Sequence, residues 1–451
     1  MENLENKDAP IERKPLWKRV LFFIGRFIRR TVIGLLLFLI FISVSVVLVT
    51  QTESFRRWAT PFLQNFLNDQ LQGHVEFSDI EINLLRGLTL HDVRLIASGD
   101  TVLVTREISI GYDLEQFLNK KIYVSHLTIE SPRIKILRSK DSSWNVEHIA
   151  KPVTDTTPAK PFDYFIHAYD ISIRNATIIM EDSLAPISRY GTFDFGHLHL
   201  WNANITLSAD ADIPKNDYKL HLKTLSFEER DGFSLKNLSL NVAANKQGLE
   251  VNEMNFETPD TRLQLQAKVD SLNIFEAITS SKLSSAPIKL SLQADSLATE
   301  DLLRFLPDAG VSGTYKLVID AEGKLPVMNV KKLRIDSPLS HLIASGKLKH
   351  LDKPEKLTFT ANAETSLINY DELQRVTPVL HLPKLDFLGT VQIRKAFVNA
   401  VPSDSIEITA TTNTKSGSVD GKMTLFFRSP LAYHADATVE NINLGAITHN
   451  P

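Results

Sequence analysis

The segments 263–269 (LQLQAKV) and 288–294 (IKLSLQA) decide how this chain folds. In both of them an apolar residue alternates with a polar one along the whole segment. Successive side chains of a β-strand point to opposite sides, so this alternation is typical of a strand with one apolar face and one face in water. An amphipathic helix would instead need apolar residues three and four positions apart. The two segments therefore predict β-strands.

The same period of two continues along most of the chain after residue 73. It recurs at Val93/Leu95, Val102/Val104, Ile108/Ile110, Ile134/Ile136, Ile171/Ile173, Leu220/Leu222, Tyr315/Leu317/Ile319/Ala321, Leu357/Phe359/Ala361/Ala363 and Ile406/Ile408/Ala410. Helical patterns are few and short, at 114–118, 299–306 and 367–373. A composition of 43% hydrophobic and 23% charged residues is that of a folded chain. We therefore expect a mainly β fold with a few short helices.

Two internal echoes indicate that the strands form a repeating unit. Residues 258–272 match residues 337–351 at a constant offset of 79, including a hydroxyl residue followed by proline at the start of each copy. A strand that ends in an acid recurs at Asp270, Asp295, Glu364 and Glu440, and we expect these acids to cap following helices. Several matching echoes favour a β-module. The last copy lies close to residue 451, so we expect the series to be cut short there.

The N-terminal part of the chain predicts a membrane anchor. Residues 31–50 (TVIGLLLFLIFISVSVVLVT) carry no charge, and as a helix they would cover about 30 Å, the thickness of the hydrocarbon core of a bilayer. A cleaved signal peptide is the alternative, but this apolar run is longer than is usual and no small-residue cleavage site follows it.

The charges on either side of this run predict its orientation. Residues 1–30 contain eight Lys/Arg and four Asp/Glu, a net charge of +4, whereas the whole chain has a net charge of −3, which leaves −7 for residues 31–451. The positive-inside rule then places the N-terminus in the cytoplasm and the bulk of the chain outside it. An acidic body of this kind gives no electrostatic reason to bind nucleic acid.

A second apolar pattern follows the anchor at 53–71 and has the helical period. Its members are Phe55, Trp58, Ala59, Phe62, Leu63, Phe66, Leu67 and Leu71. One interpretation is a helix that lies at the membrane interface, with Phe55, Trp58, Phe62, Leu63, Phe66 and Leu67 as its contacts, or that plugs one end of an apolar groove. The other interpretation is an ordinary helix packed on the sheet.

The N-terminal third of the chain resembles the corresponding region of AsmA-like proteins, including the TamB branch. The resemblance rests on the order of several short segments after the apolar run: 73–77 (GHVEF), 87–93 (GLTLHDV), 99–104 (GDTVLV), 113–118 (DLEQFL), 121–124 (KIYV), 127–132 (LTIESP) and 143–145 (SWN). Residues 156–451 share only the general style of strand repeats.

The resemblance implies an elongated, curved, repeating β-sheet, shaped like a half-pipe and lined by apolar side chains. Such proteins are implicated in moving phospholipid between the membranes of the bacterial envelope and in outer-membrane assembly. The expected organisation is a cytoplasmic basic segment (1–30), a transmembrane helix (31–50), an AsmA-like region (51–155) and β-groove modules (156–451). The Pro/Thr-rich stretch 151–161 marks the boundary between the last two. The expected location is the inner membrane, with a single span and the bulk of the protein in the periplasm.

Two classes of function follow from this organisation. The first is a groove that holds or conducts phospholipid, and the residues that we expect to line it are Leu263, Leu265, Leu290, Leu292, Leu317, Ile319, Leu357 and Phe359. These could instead form a closed protein core, and one sequence does not tell which face of the sheet is concave. The second class is a scaffold for outer-membrane protein assembly that pairs strands at a sheet edge.

The sequence offers little that could support catalysis. It lacks the glycine-rich phosphate-binding motifs, the HExxH zinc motif and the GxSxG nucleophile motif. It has no cysteine, which excludes disulfides, thiolate metal ligands and a cysteine nucleophile. His197 and His199 would lie on one face of a strand, but no carboxylate pair is near them in the sequence. We therefore expect no enzymatic activity, no metal and no cofactor.

Overall fold

A computed structural model describes residues 33–35, 37–38, 41–42, 44–45, 48–83, 87–117, 119–147, 149, 151, 164–189, 191–276, 279–307, 310–376, 385–427, 432–443 and 445. Within these residues the fold is mainly β, which confirms the prediction from the alternating pattern. All of the described strands belong to one sheet of 22 strands, and the described helices are few and, apart from Glu53–Gln70, short.

The described elements have the following bounds. The strands are β1 (His74–Glu76), β2 (Asp79–Asn83), β3 (Gly87–Ala97), β4 (Asp100–Tyr112), β5 (Lys121–Glu130), β6 (Arg133–Arg138), β7 (Phe165–Asp182), β8 (His197–Asp212), β9 (Asp217–Glu229), β10 (Ser234–Leu235), β11 (Asn237–Asn245), β12 (Gly248–Glu257), β13 (Arg262–Asp270), β14 (Ile288–Ala298), β15 (Thr314–Lys324), β16 (Val327–Asp336), β17 (His341–Lys349), β18 (Thr358–Asn369), β19 (Thr390–Val401), β20 (Ser405–Thr414), β21 (Gly417–Phe426) and β22 (Ala432–Glu440). The helices are α1 (Glu53–Gln70), α2 (Leu114–Phe117), α3 (Ser280–Ser285), α4 (Thr299–Phe305) and α5 (Tyr370–Val376), with 3-10 turns at Pro354–Lys356 and Asp386–Leu388.

Strands that follow each other in the chain are mostly neighbours in the sheet. From β11 to β22 each strand pairs antiparallel with the next, which makes a long meander. At the other end β1 and β2 both pair with β3, and β9 pairs with both β10 and β11. The described parallel pairings join β7 to β5 and β6. Because β7 pairs with both of these strands, the sheet runs without a break across the predicted boundary at 151–161, most of which lies outside the described residues.

The register of the meander is irregular at almost every step. Shifts of the kind that a β-bulge produces occur in the pairs from β11–β12 to β17–β18 and again in β19–β20. An extra residue on one strand bends that strand and increases its local twist. The irregularities are therefore a repeating property of the sheet.

The echo at an offset of 79 corresponds to a repeated turn. Thr258 N–H donates to Thr261 O at 2.9 Å, and Thr261 N–H donates back to the Thr258 hydroxyl at 2.9 Å. In the second copy Ser337 N–H donates to Ser340 O at 2.9 Å, and Ser340 N–H donates to the Ser337 hydroxyl at 3.1 Å. The two turns join β12 to β13 and β16 to β17. The sequence echo is therefore a structural repeat of four strands.

An acid from a following helix holds each of these turns. The Thr258 hydroxyl donates to Asp301 Oδ2 at 2.5 Å, and the Ser337 hydroxyl donates to Glu372 Oε2 at 2.7 Å. Asp301 is the third residue of α4, and Glu372 is the third residue of α5. Each helix therefore folds back over the ends of the preceding strands and fixes the turn that joins them.

The prediction that strand-terminal acids cap the next helix is wrong. Asp295 and Glu364 lie inside β14 and β18, and α4 has no side-chain hydrogen bond at its N-cap. Asp270 and Glu440 do end their strands, but the residue after each of them has a positive φ, which turns the chain instead of starting a helix. The α3 helix is capped by the Thr279 hydroxyl. The prediction of a helix at 367–373 is also shifted, since β18 continues to Asn369.

The predicted anchor is described only in part. The described positions among residues 33–50 are helical, and the remaining positions of the run lie outside the described residues, as does the whole of 1–30. Across the part of the chain that the structure describes, no helix is both long enough and apolar enough to cross a membrane.

Candidate functional site

Strand register brings most of the predicted lining residues together on one face of the sheet. Residues directly opposite each other in paired strands point to the same side. The opposite residues of β13, β14 and β15 are Leu263, Ala294 and Leu317 in one row, Leu265, Leu292 and Ile319 in the next, and Ala267, Leu290 and Ala321 in a third. Six of the eight predicted residues therefore form one apolar area.

Phe359 belongs to the same face, whereas Leu357 does not belong to a strand. A further row runs through Ile288, Gly323, Met328, Leu348 and Phe359, from β14 to β18. Leu357 lies just before β18, where the 3-10 turn Pro354–Lys356 ends, so no strand register fixes its side.

One row of opposite residues crosses the sheet from β2 to β22, and we call it the central row. Its members are Ile82, Leu88, Ile110, Leu127, Ile171, Leu207, Leu222, Leu240, Met254, Leu265, Leu292, Ile319, Leu333, Ala344, Ala363, Ala396, Ala410, Gly421 and Ala437. Every member is apolar or glycine. The side chains of the row are bulky as far as β16, and from β17 onward the row consists of alanine and glycine. These small residues leave more space above the sheet.

The opposite face of the sheet is polar. Between the apolar rows of β13 and β14, Gln264 lies opposite Gln293 and Lys268 opposite Lys289. Lys331 pairs with Glu322 at 2.6 Å on the same side. From β13 to β16 the sheet therefore has one mainly polar face and one apolar face.

The apolar face is only partly shielded from solvent by the described residues. Apart from Leu222, the bulky members of the central row are half-buried, and the fully buried apolar residues from β14 to β19 are mostly alanines. Each strand mainly contacts the strands to which it is hydrogen-bonded. Most of its other contacts are with helices. Among the described residues no second sheet lies on this face.

Helix α1 covers the apolar face at its β1–β4 end. Ala59 is buried in a cluster with Val75, Ile80 and Leu90, and Phe55, Leu63, Leu67 and Leu71 pack against that cluster. The Asn68 side chain also holds the backbone of Val75 on both sides, accepting from its N–H at 2.7 Å and donating to its C=O at 3.2 Å. These contacts fix α1 to the sheet.

The six residues predicted for a membrane-interface helix therefore divide into two stripes. Phe55, Leu63 and Leu67 pack against the sheet, as the second interpretation of this helix expects. The other three point to solvent: Trp58 is 61% exposed, Phe62 is 62% exposed and Phe66 is 53% exposed. Trp58 and Phe62 stack with their ring centroids 5.6 Å apart. Sequence spacing alone could not separate two stripes that adjoin on one helix.

Neighbouring substitutions in α1 should distinguish the two stripes. We expect Leu63→Ala to lower the free energy of unfolding by about 2 kcal/mol, because it leaves a cavity against the sheet. Phe62→Ala should change it by less than about 0.5 kcal/mol, because its ring is already in solvent. Urea unfolding of the two variants beside the unaltered protein measures both effects. Equal losses would contradict the division.

The described residues offer no cluster of side chains that could bind a metal ion, since no three of their His, Asp or Glu side chains form a group that could hold one. His197 and His199 are each paired with a single carboxylate instead, with Asp194 at 3.1 Å and with Glu181 at 3.2 Å.

Comparison of the chain with protein-family models, with characterised proteins and with solved structures gave no significant match. The apolar face of the sheet is therefore the feature from which we infer a function.

Proposed function

We propose that this protein holds or conducts phospholipid along the apolar face of its sheet, as part of the biogenesis of a bacterial cell envelope. The observation that carries the proposal is the central row, which stays apolar across neighbouring strands from β2 to β22 while its bulky side chains, apart from the buried Leu222, are only half-buried. A continuous apolar strip of this size is unfavourable in water unless something apolar occupies it.

Acyl chains fit this face energetically. Each CH₂ group removed from water contributes about 0.8 kcal/mol, so a single lipid chain has a large driving force to lie along it. The row carries no charged residue that a chain would have to pass. The small residues from Ala344 to Ala437 leave space for an acyl chain above the apolar face. The bulky residues before them fill more of that space.

The repeated register shifts support a curved form of the sheet. A bulge bends its strand, and a sheet that curves with its apolar face inside is a half-pipe. The charged face would then be the outside of this groove. This is the shape that the resemblance to AsmA-like proteins implies.

The proposed location is the inner membrane, with residues 31–50 as a single-pass anchor, the N-terminus in the cytoplasm and the sheet in the periplasm. The proposal is supported by the charge difference across the run and by its described apolar side chains, such as Leu37 and Phe41, which are exposed. The partners are phospholipid, the inner membrane and proteins of outer-membrane assembly.

A photo-crosslinking pair tests the lipid groove. A benzophenone side chain at Leu292, on the apolar face, should form a covalent adduct with phospholipid in the full-length protein purified from bacterial membranes. The same group at Gln293, the exposed neighbour on the polar face, should not. Mass spectrometry of the intact protein detects the adduct. Absence of lipid from Leu292, Leu265 and Ile319 in folded protein would exclude the groove function.

A second candidate function is strand pairing with outer-membrane proteins. One observation favours it: among the described strands β22 pairs only with β21, and its side chains are largely exposed. However, its outer edge carries His434, Asp436 and Glu440, and charged residues on an edge strand discourage pairing with other chains. The apolar face is therefore the better supported site.

A further inference from the structure

The turn that joins β4 to β5 exposes apolar side chains beside charged ones. It contains α2, in which no residue is buried and Glu115 is exposed, and then two lysines. Leu114 is 52% exposed and Phe117 is 53% exposed, and Lys120 and Lys121 are exposed beside them. Exposed apolar side chains next to exposed cations are typical of segments that lie in the headgroup region of a membrane.

The turn is fixed in this arrangement by its neighbours. Lys120 N–H donates to Phe117 O at 3.1 Å, and Lys120 O accepts from Phe165 N–H at 3.1 Å at the start of β7. The Phe117 ring stacks on Tyr164 with centroids 5.6 Å apart. These contacts fix the backbone of the turn, while the side chains of Leu114 and Phe117 remain more than half exposed.

The same end of the sheet receives the end of the predicted anchor. Thr50, the last residue of the apolar run, is buried and lines a cavity of about 490 Å³ together with Gly87, Ile110 and His126. Ile110 is two residues before the end of β4 at Tyr112, and Leu114 is two residues after that end. At about 3.3 Å per residue, Leu114 is within roughly 13 Å of chain from that cavity.

We propose that Leu114 and Phe117 insert into the bilayer that holds residues 31–50, while Lys120 and Lys121 contact the phosphate groups of anionic lipids. The inference rests on the proposed membrane anchor and adds a second contact to it. The α2 turn would give the sheet a point of contact with the membrane that is separate from the anchor. Two contacts fix the end of the sheet against the membrane surface, next to the covered end of the apolar face.

The absence of cysteine allows a direct test with single labels. Full-length protein with Asn119→Cys carries an environment-sensitive fluorophore in the α2 turn and is placed in nanodiscs of phosphatidylethanolamine and phosphatidylglycerol. We expect blue-shifted emission and quenching by lipid-borne quenchers at least about two-fold stronger than for Ser98→Cys. Ser98 is the matched control, because it lies in the exposed β3–β4 turn at the opposite end of β4.

Two further variants identify the groups responsible. Leu114→Ser with Phe117→Ser should remove the quenching of the Asn119 label. Lys120→Gln with Lys121→Gln should reduce it only in nanodiscs that contain phosphatidylglycerol. Thermal melting of each labelled variant shows that the sheet remains folded.

A label at Phe41→Cys separates this inference from the proposed anchor. Quenching at Phe41 without quenching at Asn119 would refute the α2 contact and leave the anchor intact. Quenching at neither position would refute both. A blue shift at Asn119 that lipid-borne quenchers do not affect would mean that protein covers the turn, and that would also overturn the inference.

Discussion

Leu317→Asp is expected to leave the sheet folded and to reduce lipid crosslinking at Leu292 by at least about ten-fold, the largest effect on function that we predict. Leu317 lies opposite Ala294 and Ile335 in the apolar rows and is half-buried. In an open groove the new carboxylate stays hydrated, so the sheet tolerates it. An acyl chain would have to displace that water to pass, which is strongly unfavourable.

The same substitution has the opposite outcome in a closed core. There it would bury an unpaired charge, at a cost of several kcal/mol, and would unfold the modules around β15. Measuring thermal stability and the lipid adduct on one variant therefore separates the two interpretations of these rows. Loss of folding would favour the closed core, and a folded variant with unchanged lipid adduct would show that lipid does not use this face.

Val318→Asp is the matched control for this experiment. Val318 is the next residue of β15 and points to the polar face, where it lies opposite Gln293 and Arg334. A carboxylate there gains a cross-strand guanidinium as neighbour. We expect neither the melting temperature nor the lipid adduct to change.

The strands and their apolar faces could be predicted because alternation is a local property of the sequence. Leu317 and Ile319 are two residues apart in a strand, so they must share a face. Which residues of other strands join them depends on register, and bulges shift that register by single residues at most strand pairs. The central row could therefore not be read from one strand at a time. Its alanines from β17 onward carry the weakest signal, since alanine occurs on either face.

The contacts of the helices were less predictable than the strands. The pattern in α1 predicted its length correctly, but the division between Leu63 and Phe62 depends on where the sheet lies. The echo at an offset of 79 showed Thr258 and Ser337 as equivalent residues. It did not show that acids of later helices bind them, because that requires α4 and α5 to fold back over strands that precede them.

Glu372→Ala is expected to produce the largest loss of stability. Glu372 is only 5% exposed and accepts hydrogen bonds from the hydroxyls of Ser337 and Ser340 and, at 3.2 Å, from the N–H of Leu339. Removing the carboxylate leaves these donors without their partner inside the turn. We expect the free energy of unfolding to fall by about 2–3 kcal/mol. Asp371→Ala, one residue earlier in α5, removes an exposed acid from the same helical turn and should cost much less.

The stability that Glu372 contributes should depend on pH. Burial raises the pKa of Glu372, but hydrogen bonds from Ser340, Ser337 and the Leu339 N–H outweigh that effect and hold the pKa below its ordinary value. A carboxyl whose pKa is lowered by folding stabilises the folded state fully above its unfolded pKa, near 4.3, and loses that contribution as the pH falls below it.

Urea unfolding of the unaltered protein and of Glu372→Gln between neutral pH and the acid range below the unfolded glutamate pKa measures this linkage. Glu372→Gln keeps the size of the side chain but cannot titrate, so the difference in stability between the two proteins should be greatest near neutral pH and should shrink on acidification. Asp371→Asn removes an exposed acid from the same helix and is the control for a change of charge in α5. A difference that stays constant across the range would show that the turn depends on the shape of the Glu372 side chain and not on its charge.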